Sequence, residues 1–109
     1  METRIMFIEN KGGGDISGDS RIGRVSFSKS GRTIYYKGKT FKPIKGFKSN
    51  YYEIETKEEY WISGCKKNGE DRLYTGHTII DEDVLEEYWC TMRELPSNKE
   101  IRIIRGAKH

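Results

Sequence analysis

Up to residue 80 the apolar positions recur mostly at a spacing of two, the period of a strand with one wet face; after that the spacing becomes helical. The first run, Arg4 to Ile8, is rich in Ile, Met and Phe without clean alternation, which predicts a strand buried on both faces or lying centrally. From Ile22 to Lys29, Val25 and Phe27 alternate with Arg24, Ser26 and Ser28. Beyond Ser30-Gly31, Ile34 and Tyr36 alternate with Thr33, Tyr35 and Lys37, so 22–37 reads as a hairpin whose glycine supplies a positive φ. Gly38 breaks the pattern, and Thr40 to Ile44 is expected only as an edge strand, because Pro43 has no N–H to give to a ladder. Tyr51 to Thr56 and Glu59 to Cys65, turning at Lys57-Glu58, predict a second hairpin rich in aromatic and β-branched residues. Asn68-Gly69 suits a type I′ turn and predicts a third, linking 64–67 to 72–75.

In the stretch from Asp81 to Arg93, Val84, Leu85, Tyr88, Trp89 and Met92 recur at helical spacing. Asp81 is placed to cap the first turn, Glu82 and Asp83 suit the positive end of the macrodipole, Arg93 suits the negative end, and Pro96 stops the element. A helix over about 81–94 follows. Ile101, Ile103 and Ile104 allow one last strand or a docking tail, 105–109 is expected to fray, and the glycine-rich 11–20 to form a surface loop. The whole reads as a single mainly β domain over 1–109. Its expected form is a small antiparallel barrel or rolled sheet of six or seven short strands with one C-terminal α-helix, whose Val84, Tyr88 and Trp89 stripe covers an open end.

Composition sharpens this. With 34% apolar and 34% charged residues, the core must lean on the two Trp, seven Tyr and four Phe. Cys65 and Cys90 fit no disulfide framework and read as reduced thiols. The apolar run near Met1 is too short for a signal peptide or membrane span, so a cytoplasmic chain away from membranes is expected.

Charge divides along the chain. Residues 1–49 hold eleven Lys and Arg against four acids, a balance of +7, and residues 50–109 hold nine against thirteen, a balance of −4; together these make the net +3. Between Asp19 and Glu53 lie 33 residues without an acid, carrying nine bases.

Most candidate motifs fail on spacing. Gly38-Lys39-Thr40 has Thr33 where a phosphate loop needs glycine, and Pro43 where it needs a helix; Gly12-Gly13-Gly14 has no dinucleotide-binding spacing. Cys65, His77 and Cys90 lack the spacing of a zinc site, and His77 has no recognisable nucleophile beside it, so neither metal, cofactor nor catalytic residue is expected and an enzyme is disfavoured. The acid-free stretch differs in kind. Its bases interleave with Phe27, Tyr35, Tyr36, Phe41, Phe47, Tyr51 and Tyr52, the pairing of phosphate contact with base stacking used by single-strand binders. Arg24, Arg32, Tyr35, Lys37, Lys39 and Lys42 are the expected polyanion-binding residues, with Tyr35 the exposed stacking side chain. Two other readings stand beside RNA or another polyanion: an ordinary solvated face, and an interaction or self-association surface that meets an acidic protein partner.

Arg21 to Gly31, Tyr60 to Lys67 and Asp81 to Val84 resemble segments of a family of small uncharacterised bacterial proteins, and the resemblance spans nearly the whole chain. Some members carry the label 1-deoxy-D-xylulose-5-phosphate synthase, a thiamine-diphosphate enzyme. This chain is far too short for that enzyme's domains and has no Gly-Asp-Gly with a distant Asn pair, so the resemblance implies no cofactor and no site residue.

Overall fold

A computed structural model of the protein describes residues 2–11, 20–46, 49–67 and 77–105. Six strands, β1 (Thr3–Asn10), β2 (Ser20–Phe27), β3 (Ile34–Tyr36), β4 (Lys39–Pro43), β5 (Tyr51–Glu53) and β6 (Glu59–Gly64), follow one another as antiparallel neighbours. β6 returns to β1, with Ile62 opposite Ile8, and closes the sheet into a barrel. Closure leaves these six strands without an open edge. Two further strands, β7 (His77–Ile80) and β8 (Ile103–Arg105), extend the sheet from β2, the first parallel to β2 and the second antiparallel to β7.

β1 is buried on both faces, as its unbroken apolar run predicts. Met6 and Ile8 point into the barrel and pack with Val25, Ile34, Tyr36, Phe41, Tyr60 and Ile62. Within that core the Phe41 and Tyr60 rings meet edge to face, their centroids 4.8 Å apart. Ile5 and Phe7 point the other way, and with Ile22 and Ile80 receive Val84, Leu85, Tyr88 and Trp89 of the helical segment 82–92. That segment therefore lies on the outer face of β1, β2 and β7 instead of over an open end, because two outward residues of β1 are too apolar to be left in water. It begins as a 3-10 turn (Glu82–Val84), passes through one α turn (Leu85–Glu87) and widens into a π turn (Tyr88–Met92). Trp89 Nε1 donates to the Ile101 carbonyl at 2.8 Å, which ties the chain entering β8 to the helix.

Several expectations change. Pro43 does not mark an edge: β4 lies between β3 and β5, and the proline occupies the last position of its strand, opposite Tyr51, where its missing N–H interrupts nothing. The turn from β3 to β4 has two residues, Lys37 and Gly38, with φ of 48° and 80°, the positive pair that a type I′ hairpin requires. Gly31, also at φ 80°, turns the preceding hairpin as expected. The third expected hairpin falls largely on 68–76, outside the described residues, as do 12–19 of the glycine-rich loop and 106–109 of the tail; β6 ends at Gly64. β7 was not expected, and its Thr78-Ile79-Ile80 run is too short for periodicity to reveal.

The junction of β2 with its neighbours matters most for the site. β1 holds one edge of β2 along its length, but the other edge is shared: Ser20, Arg21 and Ile22 pair with β7, whereas Ser26 and Phe27 pair with β3. Gly23 lies where the two partners diverge. A Cβ there would overlap Asp81 Oδ2 and come within 2.7 Å of the Tyr36 ring, so only glycine lets the acid and the phenol meet in the fork.

Candidate nucleic-acid interface

The fork is filled by one buried acid. Asp81 is 3% exposed. Its Oδ1 accepts from Arg21 Nε at 2.9 Å and Arg21 Nη2 at 2.7 Å, and its Oδ2 accepts from the Tyr36 hydroxyl at 2.5 Å. Lys37 Nζ stands 3.6 Å from Oδ1. Asp81 precedes the helical segment as expected, yet its side chain makes no capping bond; it turns inward because two buried or half-buried donors compete for it. Burial, reinforced by the neighbouring carboxylate, pushes the Tyr36 phenol far above its ordinary range. Burial works against the Arg21 charge, but the bonds to Asp81 outweigh it and raise its affinity for the proton.

The six expected polyanion-binding residues are not brought to one place. Arg24, on the outer face of β2, is paired through Nη2 with Glu87 Oε1 of the helix. Arg32 is exposed in the loop joining β2 to β3, at the end of the barrel away from the β3–β4 turn. The other four share the short β3–β4 hairpin. Tyr35, 38% exposed, faces outward opposite Thr40, and Lys42 faces outward one pair further, opposite Tyr52 of β5. Lys42 Nζ donates to Thr33 Oγ1 at 3.1 Å, and Lys57 Nζ sits 5.8 Å from the Tyr52 ring centroid. This outer face thus alternates ring and ammonium over two tyrosines and two lysines. It ends at β6, where Glu59 stands opposite Tyr52.

Lys37 and Lys39 lie at the hairpin's turn end, beside the mouth of the barrel. There Ile8, Asn10, Arg21, Tyr36, Lys37, Lys39, Phe41 and Tyr60 line a cavity of about 300 Å³. All but the turn residue Lys37 belong to the inward-facing sets of β1, β2, β3, β4 and β6, and the opposite end of the interior is filled by Phe27 and Tyr51. Glu53 also points inward at this end. Its burial opposes ionisation, but hydrogen bonds from the Thr56 hydroxyl and from the Thr56 and Glu55 amides, together with nearby Lys39, hold its carboxyl below the usual range. Burial, with the charge of Glu58 behind it, raises the Tyr60 phenol.

Comparison with family models, with curated proteins and with solved structures finds no match for this chain, so the likeness carried by Arg21 to Gly31 brings no residue to the site. Among the described residues no three of His, Cys, Asp and Glu come together as a metal site would need, and no helix is long and apolar enough to cross a membrane. Tyr52 and Lys57 extend the outer face although Lys57 lies outside the acid-free stretch. Arg21, Asn10 and Tyr60 enter the mouth through strand parity: counting back in twos from Val25 puts Arg21 on the inner face.

Proposed function

We propose that this chain is a non-enzymatic cytoplasmic binding module that holds single-stranded RNA, or a polyanion of like spacing, along the outer face of the β3–β4 hairpin. The observation that carries this reading is the placement of Tyr35 and Tyr52 on one face with Lys42 and Lys57 among them. A base stacked on an exposed ring gains about 1–3 kcal/mol whatever its identity, and lysines beside the rings meet the phosphates that link the bases. Lys37 and Lys39 continue the cationic track to the hairpin turn. Arg24 contributes little, since its charge is already matched by Glu87, and Arg32 acts only on a strand long enough to pass around the barrel end.

Fluorescence anisotropy of a labelled oligouridylate tests the reading. Binding at about 50 mM salt should weaken steeply as salt rises, because each neutralised phosphate releases counterions. Lys42→Glu should lower affinity and flatten that slope, whereas Arg24→Gln should change neither. Absence of binding at about 50 mM salt removes the reading.

A further inference from the structure

The mouth of the barrel is a second, differently built site. Its floor is largely apolar: Ile8, Phe41, Tyr36 and Tyr60 are all buried, and they line a cavity of about 300 Å³. That volume is at the lower end of the range for small-molecule pockets, which are characteristically apolar with a few converging polar groups. The polar groups are unevenly placed around the rim. On the β3–β4 side stand Arg21, Lys37 and Lys39. On the β6–β1 side Asn10 Nδ2 donates to Glu58 Oε1 at 3.3 Å and to the Tyr60 hydroxyl at 3.4 Å.

The carboxylates near the cations are hydrogen-bonded to other groups, although the Glu53 charge is still felt at Lys39. Asp81 is buried behind Arg21 and Tyr36, both of its oxygens accepting, and Glu53 is turned to Thr56 and Glu55. Lys39 makes no ion pair among the described residues, and half of the Lys37 side chain reaches solvent. An uncharged ring entering the mouth would bury its faces against the floor; one with an anionic group would also place that group between Lys37 and Lys39, away from Glu58.

We infer that the barrel mouth binds a small planar aromatic molecule bearing one anionic group, ring on the Phe41–Tyr60 floor and anion at Lys39. This site is distinct from the ring-and-lysine face built by Tyr35, Lys42, Tyr52 and Lys57, and shares with the proposed RNA track the two lysines at the hairpin turn, Lys37 and Lys39.

The test uses two fluorescent probes with one skeleton, anilinonaphthalene sulfonate, which carries the anion, and N-phenylnaphthylamine, which does not. The whole chain should bind the sulfonate saturably at one site, with amide resonances of Asn10, of residues 36–39 and of Tyr60 moving together. Lys39→Glu, an exposed change whose fold is checked by thermal melting, should weaken the sulfonate about tenfold, the scale of one lost hydrogen bond to a charged group. The neutral probe should bind more weakly and be indifferent to Lys39→Glu. The inference is overturned by no saturable sulfonate binding, by equal affinity of the two probes, by indifference of the sulfonate to Lys39→Glu, or by resonance shifts centred on the 82–92 helix. None of these readouts uses an oligonucleotide, and the RNA reading is tested at Lys42, outside the mouth, so failure of one reading is distinguishable from failure of the other.

Discussion

The fork between β3 and β7 and the outer face of the β3–β4 hairpin both set tyrosine beside cationic side chains, and they use that pairing to opposite ends. In the fork a tyrosine and an arginine converge on one carboxylate, buried and matched bond for bond, and the charges act on the fold. On the hairpin a tyrosine and lysines stand in solvent, and among the described residues Lys42 bonds to a threonine hydroxyl and meets no carboxylate. Tyr35 and Tyr36 are neighbours in the chain and belong to different regions. One step along a strand reverses the face, so a side chain's role here depends on parity more than on its type.

Removing the acid should break the comparison most severely. Asp81→Ala leaves the Tyr36 hydroxyl and the Arg21 guanidinium without their partner in the fork and is expected to cost about 3 kcal/mol, read as a lowered urea midpoint at unchanged slope. Gly23→Ala pushes a methyl into the same carboxylate and ring, and should cost about 2–3 kcal/mol, with the β7 amides exchanging faster than those of β5. Tyr36→Phe deletes one buried hydrogen bond and should cost about 1–2 kcal/mol near neutral pH.

That variant also sharpens the pH dependence. The folded state raises the Tyr36 phenol above its ordinary 10.0, so the protonated form is favoured by folding. Its contribution is therefore complete below about pH 10 and declines as pH rises above it, by up to about 1.4 kcal/mol per pH unit. Tyr60 shifts in the same direction. Urea midpoints between pH 9 and 11 should fall more steeply for the natural chain than for Tyr36→Phe, and equal slopes would show that the buried phenol is not linked to folding. The smallest effect on stability belongs to the hairpin: Tyr35→Ala should cost less than about 0.5 kcal/mol, read from the urea midpoint at unchanged slope. The same change should weaken oligouridylate by about 1–3 kcal/mol. A large stability loss there would erase the distinction between the two regions.

Much of the fold is legible because its signals are local. Alternation identifies β2, β3 and β6, Gly31 forms its turn, and Tyr88 and Trp89 announce an amphipathic helix. The exceptions have a common cause. Pro43 was expected at an edge because a missing N–H excludes the middle of a ladder, but nothing local says that it is the last residue of β4. Asp81 has the sequence position of a cap, yet Arg21 and Tyr36, 60 and 45 residues away, claim its oxygens. Arg24 was counted among the binding residues because Glu87 lies 63 positions further on.

By itself the sequence determined the strand periods, the turn chemistry at Gly31, the helical stripe and the charge division, since each depends on neighbours a few bonds away. Only the tertiary structure decided that β6 returns to β1, that the helix covers the outer face, and which cations among the described residues meet a carboxylate. Those outcomes depend on which distant segments share a surface, and a burial energy that depends on both partners is written in neither segment alone.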